Sequence, residues 1–283
     1  MPARTPHPLP FLLLPALLAT LLLAAPAWAQ RAGDVLIEAG WLHSVPNVDN
    51  GAPRNTLRPN PLFPLLGVAS AFSSEGVRID ADTVNTFGLV GQYFLTDDWA
   101  AKLVLGYPPK AAIDGSGIVQ ATGPLGNLLR IDLSEPRFNP MGSARQWVPV
   151  LLLSYHFGPA DAVWRPYLSA GFTYAFFTES ELNDTLEAET NARFGVPLAL
   201  AAGIPGPTRL VSKVESTLAP AVGVGVRWHL TETWSLSAGL DFIALETDAV
   251  VRLLASDGTE LGRSRTRLRF HPVNVTLLVG YRF

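Results

Sequence analysis

The last eleven residues, Val273 to Phe283 (VNVTLLVGYRF), alternate between two kinds of side chain. Val273, Val275, Leu277, Val279, Tyr281 and Phe283 are apolar, while Asn274, Thr276, Leu278, Gly280 and Arg282 between them are mostly polar or small. A period of two specifies a β-strand with an apolar face and a different second face. The printed chain stops at Phe283. An aromatic ending of this kind is expected where a transmembrane barrel closes, with Tyr281 and Phe283 in an interfacial girdle. A last strand packed in a soluble sandwich core is the competing reading, so the rest of the chain must decide.

The same period recurs over residues 33–42, 84–94, 99–107, 147–157, 165–177, 217–230 and 234–245. In 84–94, Phe87, Leu89, Gly91 and Tyr93 oppose Thr86, Gly88, Val90 and Gln92. In 234–245, Leu236, Ala238, Leu240 and Phe242 oppose Ser235, Ser237, Gly239 and Asp241. That predicts eight strands. Leu95-Thr96-Asp97-Asp98, 158–164 and Thr231-Glu232-Thr233 read as tight turns. The other connections are long, apart from a shorter hairpin tipped by Asp257-Gly258. The long stretches show no sustained period, and only 180–193 suggests one or two helical turns.

An even strand count, with tight turns on one side and long loops on the other, is the outer-membrane barrel pattern. The short turns are then periplasmic and the long loops extracellular. Tyr93, Phe94, Trp99, Tyr155, Phe157, Trp164, Trp228, Trp234, Tyr281 and Phe283 cluster beside the turns. One belt of aromatics at one height fits a membrane interface, which a soluble sandwich does not need. The expected fold is therefore all-β: an eight-stranded antiparallel transmembrane barrel.

The amino terminus supports export. Arg4 and His7 precede an apolar run from Leu9 to Ala25, and Ala27-Trp28-Ala29 supplies a small-x-small cleavage pattern. This predicts a signal peptide over 1–29 and a barrel domain over 30–283. No later stretch reaches the ~20 apolar residues of a spanning helix. The absence of cysteine excludes disulfides and thiolate metal sites, and a net charge of −3 gives no nucleic-acid signature.

Certain motifs resemble the OmpW/AlkL family of small outer-membrane channels. They are Phe94-Leu95-Thr96-Asp97-Asp98-Trp99 at the first turn, and Tyr155-His156-Phe157-Gly158 leading to Arg165-Pro166-Tyr167-Leu168-Ser169-Ala170-Gly171 at the second. Gly280-Tyr281-Arg282-Phe283 at the end completes the set. The resemblance runs from Gly33 to Phe283. It implies a bacterial outer-membrane location, an apolar chamber passing small hydrophobic solutes, and sideways release into the membrane. It also implies that Phe283 ends a signal read by the barrel-assembly machinery. The extracellular segments look longer here than is usual in that family.

With the aromatic and branched face assigned to lipid, the other face lines the interior. Near the periplasmic end that lining includes a polar floor of Asp34, Glu38, Lys102, His156, Arg227 and Arg282. Toward the outer end it becomes apolar, with Val90, Val104, Val150, Leu152, Ile243 and Leu278. An eight-stranded barrel is only just wide enough for side chains to fill it, so the charges should pair as a closed network. An apolar solute would enter between the loops, stop above the floor and leave through the wall. Lateral exit needs a break in strand pairing, and proline lacks the amide a ladder requires. Pro220 is the first candidate and Pro149 another.

Other sites carry less. Ser154 and His156 share a face, the spacing of a nucleophile and base. They point inward near the periplasmic end, so no enzyme is expected. His43, His156, His229 and His271 lack metal-ligand spacing, and no cofactor is expected. Arg263, Arg265, Arg267 and Arg269 alternate on one face and could grip lipopolysaccharide phosphates, or simply form a solvated strand face. A structural barrel whose loops bind a partner, without transport, remains the alternative to a channel.

Overall fold

The computed structural model describes residues 30–283, apart from 109, 125 and 205. The predicted signal peptide over 1–29 lies outside the described residues. Eight antiparallel strands close on themselves. They are β1 (Val35–Val45), β2 (Val84–Phe94), β3 (Trp99–Gly106), β4 (Val150–His156), β5 (Trp164–Leu182), β6 (Thr217–His229), β7 (Trp234–Ile243) and β8 (Val273–Arg282). Each strand pairs with its chain neighbours, and β8 closes the ring on β1 through pairs from Leu36 with Arg282 to Val45 with Val273.

Alternation sets the two faces of the wall. Ile37, Leu89, Leu103, Leu153, Phe172, Val222, Leu240 and Leu277 all point outward and are exposed, while their neighbours Leu36, Val90, Val104, Leu152, Ala221 and Leu278 are buried inside. Exposed apolar side chains around a whole sheet have one stable solvent, the bilayer. Two of the short turns share one local device, Leu-Thr-x-x-Trp. The hydroxyl of Thr96 accepts from the amides of Asp98 and Trp99 at 3.3 and 3.0 Å. The hydroxyl of Thr231 accepts from Thr233 and Trp234 at 3.4 and 2.9 Å. Each turn then places a tryptophan at the membrane edge. Trp99 packs on Tyr155 at 5.0 Å, Trp164 stacks on Trp228 at 5.0 Å, and Trp234 meets Tyr281 at 5.1 Å.

Above the barrel, the long connections form a folded cap. β5 alone has 19 residues, roughly 60 Å of strand and more than twice an apolar band of ~25 Å. Its upper half pairs with Gly142–Trp147, which pairs with Lys110–Ser116, which pairs with Arg78–Ala81. A second sheet runs Arg209–Val214, Leu245–Leu254, Glu260–Phe270, Arg54–Leu57 and Ala71–Ser73. Asn183 caps a helix over Asp184–Thr190, its side chain accepting from the amides of Thr185 and Leu186. The expected helical turns over 180–193 are thus present. Phe63, Phe72, Phe138, Phe194 and Leu198 bury a separate apolar core in the cap.

The cap corrects the reading of these connections as irregular. Its strands are three to eleven residues long and pair with distant segments, such as Arg54 with Arg265. A three-residue strand is too short to show a period. The reading of 147–157 as one strand also changes. β4 begins at Val150, and Gly142–Trp147 is a separate strand of the cap.

Candidate functional site

The barrel interior divides into a charged lower layer and an apolar upper one. Glu38 on β1 and Arg227 on β6 are both sealed from solvent, and Arg227 Nη2 donates to Glu38 Oε2 at 3.1 Å. Glu38 also accepts from Gln92 Nε2, and from Ser237 Oγ at 2.7 Å. The carboxylate is thereby held by three strands besides its own. Lower down, Arg282 Nη1 reaches Asp34 Oδ2 at 3.3 Å at a half-buried rim.

Arg165 and Tyr167, named from sequence only within the second-turn motif, also belong to this layer. Arg165 is completely buried. It donates to Gln30 Oε1 at 2.9 Å, Asp97 O at 2.9 Å and Asp98 Oδ1 at 3.0 Å. Asp97 and Asp98, read as a simple turn, thus also hold an interior arginine. The missed signal was parity, since Arg165 and Tyr167 share the inward face with Ser169. Tyr167 is the hub of the layer. Lys102 Nζ lies 4.9 Å from its ring centroid, the His156 ring 5.3 Å away and Arg227 Cζ 6.0 Å away. Among the described residues no carboxylate lies within ion-pair range of Lys102, and its neighbour is this aromatic face.

Glycines of β6 make room for these side chains. A Cβ on Gly225 would sit 2.4 Å from the Tyr167 hydroxyl, and one on Gly223 would sit 2.0 Å from Asp241 Oδ1. β6 is thin at these points because side chains from β5 and β7 lie across it.

Val90, Val104, Val150, Leu152, Ile243 and Leu278 form one buried apolar cluster above the floor. Val104, Val150, Leu152 and Ile243 line a cavity of about 110 Å³, with Asp241 and Asn274 among its polar residues. A 150 Å³ apolar cavity holds benzene. This one is smaller, so a ring-sized solute requires the walls to move.

The cavity reaches the wall where pairing stops. β3 pairs with β4 only as far as Val104 with Val150, and with β2 as far as Gly106 with Gly88. Beyond Val104 no ladder pair joins Leu105 or Gly106 to β4, and the neighbouring Pro149, whose carbonyl accepts from the Thr173 hydroxyl of β5 at 2.7 Å, has no amide hydrogen. Tyr107, Pro108, Gln146 and Val148 at this break line the same cavity. Pro220 lies in another seam, one residue beyond the last β6–β7 ladder pair, Ala221 with Ile243. It sits opposite Phe172, and its carbonyl accepts from Ala244 N at 3.0 Å. The β3–β4 ladder and the β6–β7 ladder thus each stop one residue short of a proline, and among the described residues only the second is carried on by a backbone bond, to the Pro220 carbonyl.

Two other candidates lose their chemistry. Ser154 Oγ bonds Ser169 Oγ at 2.7 Å rather than His156, and both residues are fully buried. A nucleophile without its base in hydrogen-bond reach, and without access, is not activated. The cap arginines are already paired: Arg263 with Glu260 at 2.9 Å, Arg265 with Asp248 at 3.1 Å, Arg267 with Glu246 at 2.7 Å and Arg269 with Asp49 at 2.9 Å. A phosphate would have to displace these carboxylates. No cluster of three or more metal-ligating side chains occurs among the described residues.

Comparison with known proteins places this architecture. Residues 16–283 match the family described as outer membrane protein beta-barrel domain. Outer membrane protein W of Vibrio cholerae is 26% identical over 260 residues, covering 92% of this chain and 93% of that one. The crystal structure of OprG from Pseudomonas aeruginosa shares the fold at a TM-score of 0.66 and 18% identity, over 91% of this chain and 99% of that one. The solution structure of outer membrane protein W from E. coli aligns at a TM-score of 0.45 and 20% identity, over 90% of this chain and 100% of that one. These relatives are named as outer-membrane proteins. The chain belongs to the outer membrane protein beta-barrel domain family, as a bacterial outer-membrane barrel similar over most of its length to outer membrane protein W.

Proposed function

We propose that this barrel is a passive channel for small hydrophobic molecules, which enter through the cap, occupy the upper chamber and leave sideways into the bilayer. One observation carries the reading: the apolar cavity lies above a charged layer and reaches the wall at the unpaired end of the β3–β4 seam. Val104, Val150, Leu152 and Ile243, with Val90 and Leu278 behind them, serve as the apolar lining. Asp34, Glu38, Lys102, His156, Arg227 and Arg282 serve as the floor. An apolar solute gains nothing by crossing paired charges, and the wall is the exit with fewest hydrogen bonds to break. Pro149 stands beside that seam, next to its last pair, Val104 with Val150. The barrel itself reaches the outer membrane through the assembly machinery, which reads the strand ending in Phe283.

The chain has no cysteine, so the seam can be locked cleanly. Gly106→Cys with Val148→Cys places a thiol on each side of the break. In liposomes, the oxidised double variant should take up a small apolar tracer several-fold more slowly than the reduced one. Equal uptake in both states would remove the seam from the mechanism. Uptake by the unmodified protein no faster than through bare lipid would end the channel reading.

A second reading makes the cap a docking platform without transport. Leu65 and Leu200, 82% and 63% exposed on short cap helices, favour it. Tracer uptake separates the two.

A further inference from the structure

The cap contains a cavity of its own, about 220 Å³, that shares no lining residue with the chamber in the barrel. Its walls come from all four extracellular connections. Phe72 arrives from the first, Leu133 from the second, Phe194 and Leu198 from the third, and Leu253 from the fourth. These walls belong to the cap core, so the core closes around a space instead of filling it. Well-packed interiors hold few voids larger than a water molecule.

The polar groups at its edge are already engaged. Glu187 Oε1 accepts from Leu210 N at 3.1 Å, and both Arg263 nitrogens facing Glu260 are bonded to it at 2.9 and 3.0 Å. Asn55 Nδ2 donates to Ser74 Oγ at 2.8 Å, and Thr190 donates to Leu186 O at 2.7 Å. A ligand here meets hydrocarbon and aromatic surface, with these charges and amides turned to other partners.

We infer that the cap holds a binding site for one neutral, apolar molecule, distinct from the barrel chamber. A dry 150 Å³ cavity takes benzene, so 220 Å³ takes a hydrocarbon or alkylbenzene of roughly seven to ten carbons. Charged and strongly polar solutes are disfavoured, because the wall is mostly hydrocarbon and aromatic surface. As a step in uptake the site rests on the channel reading, acting as a first stop outside the membrane. As a binding site it stands alone.

The test uses the full mature protein in lipid nanodiscs, with labelled Leu and Val methyl groups, titrated with toluene. Saturable shifts are expected at cap methyls such as Leu133, Leu198 and Leu253. Val119→Phe and Val251→Phe, which fill the space from two different connections, should each abolish them while leaving barrel signals in place. No saturable cap shift in the unmodified protein overturns the inference. So do shifts confined to barrel methyls such as Leu152 and Leu278, or shifts that survive both fillings. Cap binding without tracer uptake would uphold this site and end the channel reading, and uptake without cap binding would do the reverse.

Discussion

Arg227 Nη2 and Glu38 Oε2 meet at 3.1 Å across the barrel lumen, and neither side chain touches solvent. Breaking a buried pair by removing one partner strands the other charge. Glu38→Ala should therefore cost about 3–5 kcal/mol. Replacing both, as Glu38→Leu with Arg227→Met, should recover most of that loss. Urea titration in lipid vesicles, followed by tryptophan fluorescence, measures each variant. A double variant no better than the single one would mean that Gln92 and Ser237 matter more than the charge pair.

The two candidate prolines should part company. Pro149→Val frees the backbone beside the open end of the β3–β4 seam, letting β4 extend, and should slow uptake of an apolar tracer by several-fold. Pro220→Val sits one residue past the last β6–β7 ladder pair, where Ala244 N already bonds the carbonyl of residue 220, and should leave uptake unchanged. The opposite ranking would move the exit to β6.

The cap arginines should behave as braces. Each is exposed and already bonded to a carboxylate, and exposed pairs contribute about 0–1 kcal/mol. Changing Arg263, Arg265, Arg267 and Arg269 together to Gln should leave the amount of copurifying lipopolysaccharide unchanged. A marked drop, assayed as bound phosphate, would restore the phosphate-gripping role.

His156 is fully buried between Phe94 and Tyr167, at ring distances of 5.2 and 5.3 Å, and neither ring nitrogen has a partner among the described residues. His156→Phe keeps the aromatic packing and removes the orphan groups, so stability should hold or rise. His156→Ala should cost about 3–5 kcal/mol by leaving a cavity. A destabilised Phe variant with an intact Ala variant would overturn this account. Esterase activity that vanished in Ser154→Ala would reopen the enzyme reading.

Much of the barrel was written in local pattern. Residues 84–94 carry enough alternating positions to define β2 to its ends, and Leu-Thr-x-x-Trp marks two turns outright. What local pattern lacks is the identity of partners. Arg165 finds Asp98 across 67 residues, and nothing near either one announces the other. The alternation also runs on through Trp147, and there it misled. The period persists across Pro149, but Gly142–Trp147 and β4 are two strands that pair with different stretches of β5. In the cap, strands of three or four residues draw their shape from distant edges. Only the helical turns over 180–193 were visible beforehand.

The length of β5 acts as a ruler. Strands of outer-membrane barrels lean at about 40°, so 19 residues climb roughly 45 Å, of which some 20 Å stand clear of the hydrocarbon. The same hydrogen-bonded strand carries Arg165 in the floor, Phe172 against lipid and Glu181 beside Lys110 in the cap. The cap therefore cannot sink or tilt as a separate body. Its altitude is set by residue count, and a molecule that reaches it has protein around it before it meets the charged headgroups below.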